Sequence, residues 1–92
     1  MTQTKIIVSS MAMDLKRVAV GYWNGSDQTA NRFVEESLKR RCELESANLK
    51  PYFKKLMKNL PNVLNQKDKK RLAEDALMYS TLCQNYALKF LK

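Results

Sequence analysis

Histidine is absent from the 92 residues. That absence removes the commonest general base, the commonest metal ligand, and the Ser–His and Cys–His nucleophile pairs. It also excludes the Glu-x-x-His arrangement with which helical bundles hold di-iron centres. Glycine is almost as scarce. The only two, Gly21 and Gly25, cannot build a phosphate-cradling loop. With just two prolines beside them, the chain lacks the turn and breaker residues of all-β domains and disordered linkers. The two cysteines, Cys42 and Cys83, lie far apart and cannot form a structural zinc site within one chain. Each falls among apolar neighbours on a predicted helix, so each reads as a small buried side chain rather than half of a disulfide. Long hydrophobic runs are missing too. The apolar stretch 6–13 is interrupted by Ser9 and Ser10 and followed by Asp14. It falls far short of the ~20 residues of a membrane span, and one basic residue before a broken core makes a poor signal peptide. The expectation is a cytoplasmic protein that uses no cofactor and catalyses no reaction.

What is present is helix-forming sequence in long periodic stretches, enough for one domain. The spacing predicts an all-α fold, a four-helix bundle or helical array with helices over about 5–23, 27–46, 51–60 and 66–90. In the first helix Ile7, Met11, Leu15, Val18 and Tyr22 stack on one face, with Val8, Ala12, Ala19 and Trp23 widening it. Ile6, Met13 and Val20 lie on the far side. So wide an apolar circumference predicts a central or doubly covered helix. Residues 5–9 and 17–23 are also rich in β-formers. Strands there would need a turn, however, and 11–16 is a helix-forming run without one.

Gly25 can take the left-handed conformation that ends a helix, and Ser26 or Asp27 can cap the next. A helical hairpin results. The second helix has a narrower stripe, Ala30, Phe33, Val34, Ser37, Leu38 and Leu44. Pro51 suits the first turn of the third helix, and the pair Leu60-Pro61 is expected to end it. Asn65 is a candidate N-cap for the last helix, with Asp68 in its first turn. There Leu72, Ala76, Tyr79, Cys83, Tyr86 and Phe90 recur at heptad-like spacing, a seam for near-parallel packing.

Charge of one sign dominates. Seventeen lysines and arginines face nine carboxylates, for a net charge of +8. Lys50, Lys54, Lys55, Lys58, Lys67, Lys69, Lys70 and Arg71 face only Asp68 within 50–71, a net of +7. A focused basic face marks contact with something anionic, or serves only to keep the surface wet. Lys50, Lys54 and Lys58 recur at i, i+4 and i+8, about 6 Å apart along the axis, a spacing that can track phosphates. Tyr52 borders the row, where it can stack on an unpaired base. No recognition-helix or RNA-binding signature accompanies the row, so sequence-specific readout has no support. Nucleic acid and an acidic protein are the partner classes that fit. A membrane surface fits poorly, because the third helix is short and its apolar side is needed for the core.

Self-association is the other expectation, with a dimer favoured. The first and last helices carry more apolar surface than one stripe each, and large exposed patches often mark interfaces. Trp23, Leu77, Leu88 and Leu91 are the residues to which the sequence assigns that contact. Within the first helix Asp14 is expected to pair with Arg17 or Lys58, or to be exposed at a gap in packing. Arg41 is expected to reach out to water or to an acid, with a buried pair to Asp14 as the less favoured alternative.

Overall fold

A computed structural model of the chain describes residues 3–91. It contains four helices, α1 (Gln3–Trp23), α2 (Asp27–Glu43), α3 (Pro51–Leu64) and α4 (Lys69–Phe90). The all-α expectation holds, and the β-rich ends of the first segment belong to one unbroken helix. In sequence order the helices form a ring in which α1 touches α2 and α4, while α3 touches α4 and α2. Helices α1 and α3 therefore occupy opposite corners. α1 runs antiparallel to both neighbours. Gly21 meets Ala30 of α2, while the Ser80 hydroxyl of α4 donates to the Ala12 carbonyl at 2.6 Å.

The α1–α2 connection is built on Gly25. Its φ of 73° allows Ser26 N to reach the Gly21 carbonyl at 2.8 Å and Gly25 N to reach Tyr22 at 3.2 Å. Those two bonds satisfy carbonyls that the end of α1 would otherwise leave bare. Ser26 occupies the N-cap of α2 but makes no side-chain capping bond; Asp27 supplies the favourable first-turn charge. α2 ends at Glu43, short of the expected 46, because the amides of Leu44 and Glu45 tighten onto carbonyls three residues back.

Pro61 does not end α3. The helix continues through it to Leu64. A proline at this position cannot donate to the carbonyl four residues earlier, that of Met57. Arg41 of α2 supplies the missing donor, its Nε lying 2.5 Å from the Met57 oxygen. The bond satisfies a part-buried acceptor and ties α2 to α3. Asn65 closes α3 rather than opening α4. Asp68 is the true N-cap of α4, with its Oδ1 accepting from Lys70 N at 3.1 Å and Arg71 N at 3.3 Å. Gln66 steadies the connection by donating to Val63 O and to Asp75.

The core fills the ring. Val8, Met11, Leu15 and Val18 of α1, Phe53 and Leu60 of α3, and Leu72, Ala76 and Cys83 of α4 share one buried cluster, all fully enclosed. Phe53 stacks on Tyr86 with ring centroids 4.0 Å apart, and the Tyr86 hydroxyl accepts from Lys50 N. The α4 seam is buried from Leu72 to Tyr86, with Phe90 at its exposed end. Both cysteines are free. Cys83 is buried, and desolvation pushes its thiol up to about 12, but Cys42 is exposed, against expectation. It lies off the stripe through Ala30 and Ser37 that faces α1.

Candidate interaction surfaces

The basic residues fall into two groups. Lys54, Lys55 and Lys58 project from α3 into solvent, and no ion pair among the described residues engages them. Lys55 and Lys58 border a shallow depression with Asn59 and Asn62, and Lys54 and Lys58 border another with Arg41 and Glu45. Lys50 is anchored at the far end, its ammonium 5.3 Å from the Phe90 ring. Lys69 is anchored elsewhere, 5.0 Å from the ring of Tyr22. Phe90 and Lys69 are the two ends of α4, 21 residues and therefore ~32 Å apart. The run 50–71 is contiguous in sequence but stretches across the molecule. Lys67, Lys70 and Arg71 are exposed with Lys69 at the α4 start, where Glu74 and Asp75 share the depression lined by Lys70 and Arg71. Acids border both groups, Glu74 and Asp75 beside Lys70 and Arg71 and Glu45 beside Lys54 and Lys58, but α3 itself carries no carboxylate. Tyr52, half exposed beside Lys50, holds its ring at steep angles to Phe53, Tyr86 and Phe90.

The four residues expected to mediate self-association do not form one patch. Trp23 is 50% and Leu88 66% exposed. Trp23 ends α1, beside the Tyr22 that Lys69 covers, while Leu88 lies 19 residues, ~29 Å, further along α4. Leu77 and Leu91 are partly buried against the core. A different row is open instead. Ile6, Met13 and Val20 are 49%, 56% and 41% exposed on the outer side of α1. Their seven-residue spacing was visible in the sequence and is the signal for this surface. The double cover expected for α1 comes from α2 and α4 alone, and this third side stays bare. Grooves flank the row, one of about 480 Å³ between α1 and α2 with Phe33 on its wall, and one of about 340 Å³ between α1 and α4 with Leu88 on its wall.

Asp14 is the one buried carboxylate among the described residues. Its oxygens lie 3.7 Å from Arg17 and 3.9 Å from Arg40. Of the two expected partners, Arg17 and Lys58, the first is found, and Arg40 joins it. Arg41 is not a partner, since it is engaged with Met57. Burial pushes the Asp14 carboxyl above its ordinary range, although the guanidinium groups of Arg40 and Arg17 pull it down; Glu36 adds to the rise. The Arg40 Nε and Asp14 Oδ2 atoms are buried, yet 3.9 Å is too long for a direct hydrogen bond. Ser37 adds a buried hydroxyl on the same side of α2. The cluster is a polar flaw in the α1–α2 packing, and among the described residues no second carboxylate is buried with Asp14.

Compared with protein-family models, with curated proteins and with solved structures, the chain matches none. Among the described residues no three His, Cys, Asp or Glu side chains are grouped to hold a metal ion, and no helix is long and apolar enough to cross a membrane.

Proposed function

We propose that this chain is a non-catalytic helical interaction module that self-associates through apolar surface its own bundle leaves uncovered. The observation that carries this reading is the row Ile6, Met13 and Val20, each near half exposure on a helix whose other sides are covered. Single exposed apolar residues are ordinary, whereas a periodic row of three along one helix face is the pattern of a helix–helix contact. A second chain covering it would add apolar burial that a 92-residue domain gains little of alone. Sedimentation velocity from 1 to 500 μM tests the reading. A concentration-dependent rise to a dimer is expected, and a monomer throughout removes it.

The unpaired α3 lysines favour a second reading, contact with an anionic partner, of which nucleic-acid phosphates are the best fit to the ~6 Å step from Lys54 to Lys58. Three phosphate contacts predict that log affinity for a mixed-sequence duplex falls with log salt at a slope of about −2.7. Changing Lys54, Lys55 and Lys58 together to Gln should weaken binding alike on every sequence and remove most of that slope. Undiminished binding would eliminate the α3 row as the contact. The two readings are compatible, because α1 and α3 stand at opposite corners of the ring.

A further inference from the structure

Building on the self-association reading, we infer that the partner of the α1 row is a second copy of this chain, related by a two-fold axis that passes beside Met13 and pairs the two α1 helices antiparallel.

The reason lies in what such an axis superimposes. Met13 is the midpoint of the row, seven residues after Ile6 and seven before Val20. Antiparallel pairing centred on it sets residue 13+k opposite 13−k, so Val20 meets Ile6 of the second copy and Met13 meets Met13. The positions between the apolar residues then matter most. On one side of Met13, three and four residues away, stand Ser10 and Ser9; on the other stand Lys16 and Arg17. The same axis sets each serine against a cation. Lys16 can cross a short neighbour whose hydroxyl accepts a hydrogen bond, Arg17 keeps its guanidinium on Asp14 and over the Phe33 ring, and no like charges face each other. Parallel pairing has the opposite result, Lys16 against Lys16 and Arg17 against Arg17, which is repulsive. The row is self-complementary in one direction only, as a two-fold interface requires.

Two features of the fold agree. The outer ridge of α1 is flanked by the grooves that hold Phe33 and Leu88 on their walls, so the ridge of one copy has grooves to enter on the other. The α3 lysine row, at the corner across from α1, points away from such an interface, which spares a pair of chains, each of charge +8, its largest repulsion. The interface is small. The row spans ~21 Å of helix, which places it at the weak end of specific contacts, with a dissociation constant on the order of 10–100 μM.

Site-directed crosslinking tests the arrangement, in a Cys42→Ser background so that the exposed native thiol does not react. With a short bis-maleimide, Met13→Cys should link to itself efficiently. Ile6→Cys should not, since its two copies stand ~21 Å apart in the antiparallel pair. Ile6→Cys mixed with Val20→Cys should give the heterodimer. Met13→Glu, at an exposed position outside the core, should leave the circular dichroism unchanged and raise the dissociation constant at least tenfold. Self-linking of Ile6→Cys would overturn the antiparallel arrangement. A sedimenting dimer that ignores both Met13 variants would overturn this interface and leave self-association standing on another face. A monomer up to 500 μM would overturn both.

Discussion

The bond from Arg41 to the Met57 carbonyl predicts a specific non-additivity. Pro61 deprives that carbonyl of its helical donor, and Arg41 replaces it from another helix at 2.5 Å. Arg41→Met keeps the length of the side chain and removes the donor. A hydrogen bond from a charged group to a part-buried acceptor is worth about 1.5–3 kcal/mol, and the half-exposed setting of Arg41 favours the lower part of that range, about 2 kcal/mol. For a domain of this size that lowers the midpoint of thermal unfolding by roughly 8–16 °C. Pro61→Ala changes the outcome. It restores a backbone N–H to α3, so the Met57 carbonyl is satisfied locally and Arg41 becomes dispensable. In that background Arg41→Met should cost no more than an ordinary surface change, about 0.5 kcal/mol. The coupling between the two positions is then about 1.5 kcal/mol. Urea unfolding of the four proteins measures it. If Arg41→Met costs the same with and without Pro61, within the ~0.5 kcal/mol expected of independent sites, the guanidinium is not standing in for the missing amide.

The two glycines should fail differently when changed to alanine. At Gly21 a Cβ would lie 2.9 Å from Ala30 Cβ and 3.1 Å from its Cα, so overpacking of about 1–3 kcal/mol exceeds the ~1 kcal/mol gain in helix propensity, and urea unfolding should show a net loss. Gly25→Ala meets nothing within 4 Å and should cost only the left-handed backbone, about 1–2 kcal/mol by the same measurement. Asp14→Asn should stabilise the fold at neutral pH. The folded carboxyl titrates above its ordinary value, so wild type gains stability as pH falls through that raised pKa and loses it as pH rises. The advantage of Asp14→Asn should therefore shrink on acidification, and an advantage that grows instead would contradict the burial assigned to Asp14.

Features of period and composition were readable from the residues alone. Leu72, Ala76, Tyr79, Cys83 and Tyr86 could only be a buried seam, and they are. Gly25 announced the turn between α1 and α2, and its φ is positive. Features that depend on a neighbour were not readable. Pro61 looked like a helix end because local rules count only local donors, and Arg41 is twenty residues away. Asn65 and Asp68 are both competent caps, and the choice between them falls to which amides each can reach. The lysines of 50–71 looked like one surface because sequence distance is short, whereas the α3–α4 hairpin carries Lys50 and Lys69 to opposite ends of α4. By their spacing Leu77 and Leu91 are surplus surface, but the core uses part of each. The open row on α1 was present as a periodicity, without a way to tell which side of an all-round apolar helix would be left over.

The closure of α1 against α4 has a kinetic consequence. The bond between Ser80 and Ala12 fixes the register of two antiparallel helices that are first and last in the chain, so the two ends of the described segment arrive side by side. The largest contact in the fold is therefore also the one with the longest loop to close. A circular permutant that joins those ends by a short peptide and opens the chain within residues 44–50 would convert that contact into a local hairpin. Its core would be unchanged, and its refolding should be faster than that of the original order.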